Sequence, residues 1–226
     1  MVAIVAEISG NHGGSLNKAR EMIWEAAEAG CDYAKFQFYR PEDMPDRHEG
    51  DNEAMYRKLM VPDEWLPALF HTAHKCKIGL FASVFSARAV ETLLKFDVPY
   101  FKIASMDSTP LSVFTRDAIY EARPMYIPLI VSNTWDGTFL KNRGNTLAML
   151  CPPGHPPTDS NLWEAWRRFE HFGFSDHTKG IGAPLAFIRA RASMIEKHFK
   201  IDDSCIDAAF SADRLTMALL CKLGHR

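Results

Sequence analysis

Short apolar runs alternate with amphipathic stretches along the whole chain. The first run, residues 2–8, is rich in Val and Ile and reads as a strand. A loop with Gly10, Gly13 and Gly14 follows it. Ser15 is placed to cap a helix in which Leu16, Ala19, Ile23 and Ala26 recur at helical spacing, and Gly30 is a plausible stop. The pattern predicts further strands at 31–38, 79–83, 100–104, 125–131, 146–151, 173–175 and 193–199. It predicts helices near 53–59, 62–75, 86–96, 111–121, 136–142, 161–170, 181–191 and 213–223, with Pro67 delaying the start of the second. Eight strands, each followed by a helical segment, imply a parallel sheet. Eight such units fit a closed (β/α)8 TIM barrel, trimmed between its fifth and seventh strands, as one domain spanning residues 1–226. A doubly wound open sheet would need a topological switch that the pattern does not contain.

Polar side chains interrupt the apolar strands at one end. Residues i and i+2 share a face of a strand. By that rule Glu7 and Ser9 share a face in the first strand, Lys35 and Gln37 in the second, and Ser175 and His177 in the seventh. Glu196 and His198 do so in the eighth, and Lys102 lies near the end of the fourth with Ser105 and Asp107 just beyond. In a parallel barrel the C-terminal strand ends converge on one mouth, where active sites are built. One buried charge in a strand is an ordinary core ion pair; five strands charged at the same end point to a functional cluster. Lys35 and Lys102 supply positive charge, and Ser83, Ser105, Ser132 and Ser175 supply hydroxyls. That set suits an anion such as phosphate. His177 and His198, on neighbouring strands, either share a divalent metal or are two unrelated histidines.

Composition narrows the ligand. Apolar residues make up 47% and charged residues 24%, as in a globular protein with a sizeable core. With 26 Lys and Arg against 28 Asp and Glu the net charge is −2, so no global field draws in nucleic acid or an anionic membrane. An anionic ligand must be held by a few placed residues. Five cysteines without a CxxC pair are expected to be reduced thiols in a cytoplasm. No signal peptide or membrane span is expected from the sequence. His71 and His74, three apart on one helix, read as a helix face rather than a metal site, and Trp163 and Trp166 as core packing.

The segments AEISGNHGG, YAKFQFYRPEDM, NEAMYRKL, FASVFS, VPYFKIASMDSTPL, GFSDHTKGI and MIEKHF resemble, in order and spacing, the catalytic barrel of the sialic acid (N-acetylneuraminate) synthase family. The resemblance implies a metal-assisted condensation of phosphoenolpyruvate with an N-acetylated amino sugar aldehyde, N-acetylmannosamine or a related sugar. The products would be a nonulosonic acid and phosphate. It implies a divalent metal, Mn2+ or Mg2+, on His177 and His198. It places Lys35, Lys102, Ser83, Ser105, Ser132 and Ser175 on phosphoenolpyruvate, and Glu7 and Gln37 toward the sugar and the reacting centre. Asp107 would manage protons or water, Asp207 would contact the sugar, and His155 would stand at a sugar-site position.

The chain departs from the family pattern in two places. SNTW (132–135) replaces STGM, and CPPGHPP (151–157) replaces a C-x-x-x-YP pattern. These changes favour an alternative reading, a weakened barrel that binds sugar or phosphate or serves as a subunit for a partner chain. Retention of Glu7, Lys35, Lys102, His177 and His198 opposes it. Family members continue past the barrel into a small antifreeze-like domain that lends an Arg to the partner's site in a dimer. As this sequence ends at Arg226, the expectation is that a separate chain supplies that domain, that a different sugar makes it unnecessary, or that it is lost along with efficient catalysis; a homodimer is expected as well.

Overall fold

A computed structural model describes residues 1–105, 112–133, 145–152 and 172–226. Eight parallel strands close into a barrel in sequential order: β1 (Ala3–Glu7), β2 (Tyr33–Phe38), β3 (Gly79–Val84), β4 (Phe101–Ile103), β5 (Leu129–Asn133), β6 (Thr146–Leu150), β7 (Gly173–Asp176) and β8 (Met194–His198). Around it lie helices α1 (Leu16–Glu28), α2 (Asn52–Leu59), α3 (Leu66–Cys76), α4 (Ala87–Leu93), α5 (Val113–Ala122), α6 (Gly182–Arg189) and α7 (Arg214–Gly224). The (β/α)8 expectation therefore holds. The helices expected at 136–142 and 161–170, and the trimming between strands 5 and 7, lie outside or largely outside the described residues. None of the described helices is long and apolar enough to cross a membrane.

Four of the described helices start at a side-chain cap. Ser15 accepts the Lys18 N–H, Ser86 that of Ala89, Ser112 that of Thr115 and Asp213 that of Thr216. Pro67 sits in the first turn of α3, where its missing N–H costs nothing. One strand differs from expectation. The apolar run 125–131 reads as a strand, yet β5 begins at Leu129. Pro128 has no N–H to place in a ladder, so pairing starts after it, while its carbonyl accepts the Phe101 N–H at 3.1 Å.

Two apolar bodies hold the barrel. The larger lies between strands and helices and includes Ile4, Ala6, Ile23, Phe36, Leu80, Phe101, Ile195 and Leu220, with Phe174 stacked on Phe187 at 3.9 Å between ring centroids. The smaller fills the lumen: Val5, Phe81, Ile130, Met149 and Met194, with Tyr33, Tyr100, Leu147 and Phe172 against them. Gly173 makes room for that plug. A Cβ there would stand 2.6 Å from the Met194 carbonyl oxygen and 3.0 Å from the Met149 methyl.

The lumen changes character at one alternation step on every strand. Val5 is followed on its face by Glu7, Tyr33 by Lys35, Phe81 by Ser83 and Tyr100 by Lys102. Ile130 gives way to Ser132, Met149 to Cys151, Gly173 to Ser175 and Met194 to Glu196. Below the step the barrel is a closed apolar core; above it lies a polar cavity.

Candidate active site

The cavity, of about 320 Å³, is lined by residues of seven strands, by Cys151 just past β6, and by residues of the segments that follow the strands. At its floor four charged side chains, each at most 3% exposed, form one connected cluster. Lys35 lies between Glu7, with which it makes a close ion pair, and the Ser83 hydroxyl, to which it donates at 2.8 Å. Lys102 donates to Glu196 Oε1 at 2.6 Å, and Ser175 donates to the same oxygen at 2.9 Å. Glu196 Oε2 lies 3.7 Å from the Lys35 ammonium, so one carboxylate serves both lysines.

Barrel closure makes these contacts. Glu7 is register partner of Lys35 on one side and His198 on the other, Ser83 pairs with Lys102, and Ser175 with Glu196. The two carboxyls are driven apart. Burial pushes the Glu7 carboxyl up, in spite of Lys35. Burial also raises Glu196, but Lys102 and Lys35 outweigh it and hold that carboxyl at about 2. Burial would lower Lys35; Glu196 and Glu7 prevail and raise it. Glu196 is thus a fixed anion and Glu7 the acid suited to carrying a proton.

One step nearer the mouth, the His177 and His198 rings meet edge to face at 5.1 Å, and Phe210 packs against both. Asp207 pairs with His198 Nδ1 at 2.9 Å, and His198 lines the cavity. A carboxylate behind an imidazole in this way is the usual support of a metal-ligating histidine. Among the described residues no group of three or more His, Cys, Asp or Glu is arranged around a common point. Among the described residues a cation here would take two imidazoles, His177 and His198. Gln37 donates to Ser9 at 3.2 Å, and Met44, Tyr56 and Phe85 form a more apolar flank.

The structure brings together Glu7, Lys35, Gln37, Ser83, Lys102, Ser105, Ser132, Ser175, His177, His198 and Asp207. Asp107 and His155 lie outside the described residues. Asp207, expected to contact a sugar, lines the cavity and is also the partner of His198. Three contributors had no role assigned to them from the resemblance. Glu196 shares the lumen face of β8 with His198, a signal visible in the alternation. Cys151 receives the Ser105 hydroxyl at 3.3 Å, and burial raises its thiol, so it is no activated nucleophile. Asn11 donates to the Phe199 carbonyl and accepts the Asp207 N–H, both at 2.8 Å, and so fixes the loop that carries Asp207. His71 and His74 are exposed on α3.

A closed parallel barrel with buried lysines, acids and hydroxyls at the C-terminal strand ends has the build of a barrel enzyme for an anionic substrate. The NeuB family model matches residues 22–132 and 161–225. A pseudaminic acid synthase from Helicobacter pylori is 35% identical over 93% of this chain and 69% of its own length. An N,N'-diacetyllegionaminic acid synthase from Campylobacter jejuni is 27% identical over 96% of this chain and 74% of its own. The crystal structure of an N-acetylneuraminic acid synthetase from Leptospira borgpetersenii superposes with a TM-score of 0.84 at 26% identity, covering all of this chain and 83% of that one. The chain belongs to the NeuB family.

Proposed function

We propose that this barrel condenses phosphoenolpyruvate with an N-acetylated amino sugar aldehyde, giving a nonulosonic acid and phosphate. The observation that carries the reading is the pair of buried lysines ringed by serine hydroxyls, one step below two imidazoles, in a NeuB-family barrel. Lys35 and Lys102 bind the phosphate and carboxylate of phosphoenolpyruvate, and Ser83, Ser105, Ser132 and Ser175 complete their hydrogen bonding. Ser132 Oγ is buried with no hydrogen-bond partner among the described residues, so it has a bond to give an anion. The donor C3 attacks the aldehyde carbon, water adds at C2, and the C–O bond to phosphate breaks. Glu7, whose carboxyl is raised, moves the proton at the aldehyde oxygen, with Gln37 beside it.

His177 and His198 fit a divalent ion, Mn2+ or Mg2+, because two imidazoles converge and Asp207 backs one of them. Such an ion supplies Lewis-acid polarisation of the aldehyde oxygen when bound. Three pseudaminic acid synthases among the relatives are 30–35% identical, against 27% for the legionaminic acid synthases, which favours a pseudaminic-type product.

Phosphate release from phosphoenolpyruvate, with Mn2+ and a panel of N-acetylated amino sugars, tests the reading. Release that depends on one sugar class supports it. No release with any sugar from folded protein refutes it. His198→Ala should abolish both Mn2+ binding and turnover, and turnover surviving that change would refute the metal assignment.

A further inference from the structure

A second buried ion pair lies on the other face of the two strands that carry the histidines. Asp176 directly precedes His177, and Lys197 directly precedes His198, so both point away from the lumen. They are 0% and 1% exposed. The Lys197 ammonium donates to Asp176 Oδ2 at 2.7 Å, to the Thr178 carbonyl at 2.6 Å and to the Phe210 carbonyl at 3.1 Å. These three bonds use all its donors. Asp176 Oδ1 also takes the Thr178 N–H at 3.0 Å. The acceptors are not scattered. Asp176 and Thr178 flank His177 in the chain. Phe210 packs its ring on both imidazoles and lies three residues from Asp207, the partner of His198.

We propose that Lys197, with Asp176, is a positioning residue that fixes the mutual placement of His177 and His198 for a divalent cation. The inference rests on the metal reading above. Stability alone does not account for this arrangement. A buried ion pair returns little more than its desolvation costs, and an apolar pair would serve the fold as well. An apolar pair would not tie three backbone segments by directed bonds. Lys197 lines no part of the cavity, so its effect must pass through the histidines.

The double variant K197M/D176N removes both charges together and leaves no lone buried ion. Mn2+ binding is read from the resonance of free Mn2+, phosphoenolpyruvate binding by calorimetry and folding by thermal melt, with the unmodified protein measured first. The expected result is a folded variant with phosphoenolpyruvate affinity kept within about twofold and Mn2+ affinity lowered about 10- to 100-fold. Unchanged Mn2+ affinity in the folded variant overturns the proposal, as does an equal loss of both affinities. If the double variant does not fold, K197Q/D176N decides, since it likewise leaves no lone buried charge and its amide keeps a donor toward the acceptors Lys197 serves. Its Mn2+ affinity should fall about three- to tenfold, a fraction of the second-shell effect, and no change overturns the proposal. Failure of the unmodified protein to bind Mn2+ overturns the metal reading and this one with it, a result distinct from unchanged binding in the variants.

Discussion

Replacing Glu196 by Gln keeps the shape of the side chain and removes the charge that two buried lysines share. Lys102 then loses a carboxylate at 2.6 Å and Lys35 one at 3.7 Å, at sites no more than 3% exposed. Gln approximates the protonated acid, so the depression of the carboxyl measures the loss. A carboxyl held at about 2 rather than 4.5 favours its ionised form by about 3 kcal/mol. That agrees with the ~3–5 kcal/mol of breaking a buried ion pair by removing one partner. For a chain of this size, about 2–4 °C of melting temperature per kcal/mol gives a drop of about 6–12 °C. Inorganic phosphate should restore much of it, because an anion at the two ammonium groups replaces the missing carboxylate. At about 100 times its Kd a ligand adds ~2.7 kcal/mol. The variant, whose lysines are no longer shared with Glu196, should bind phosphate more tightly and show the larger thermal shift. Thermal melts of both proteins across a phosphate series read this directly. A variant that melts within about 2 °C of the parent, or equal phosphate shifts in the two, would refute the view that Glu196 neutralises an anion site.

Two further outcomes follow from residues near the mouth. Burial lowers the His12 imidazole to about 4 from 6.5, and its Nδ1 accepts the Gly14 N–H, so the folded protein holds it neutral. Between pH 6.5 and 4 the unfolded chain binds the extra proton. Stability is therefore full above 6.5 and falls by about 3 kcal/mol as pH drops through that window. Urea midpoints should show a flatter acid limb in His12→Asn, and parallel limbs would refute the assignment. Asn11→Ala orphans the Phe199 carbonyl and the Asp207 N–H, at about 1–3 kcal/mol each. It should raise the KM for the sugar while leaving phosphoenolpyruvate binding nearly unchanged, and a loss confined to phosphoenolpyruvate would refute its role in placing Asp207.

The step from apolar to polar on the lumen face is written in each strand, because alternation alone assigns Tyr33 and Lys35, or Phe81 and Ser83, to one side. Barrel closure was legible for the same reason, as eight repeats of one unit. Partnership was not legible. Glu196 stood in view two residues before His198, yet its meaning comes from Lys102, 94 residues away, which only the closed barrel brings to it. Asn11 reads as part of a glycine-rich turn until the loop 188 residues on supplies Phe199. Lys197 alternates to the side away from the cavity, where a lysine is ordinarily solvated; here the β7 end and the Phe210 loop bury it. Periodicity records which way a side chain faces. It does not record what the fold places opposite.

The balance of two lysines against two acids on the cavity floor also bears on turnover. Two bare ammonium groups would bind phosphoenolpyruvate tightly, and would hold the phosphate it releases by the same contacts. On the proposed reaction Glu196 would compete with both ligands for Lys102 and Lys35, supporting the lysines in the absence of an anion and loosening the product once formed. Glu7 also pairs closely with Lys35, but burial raises its carboxyl while Glu196 is held low, so on the proposed reaction Glu7 would give up its charge more readily when an anion arrives. The two acids are therefore not redundant. On the proposed reaction, loss of Glu196 should slow phosphate departure, and loss of Glu7 should slow the step that moves a proton.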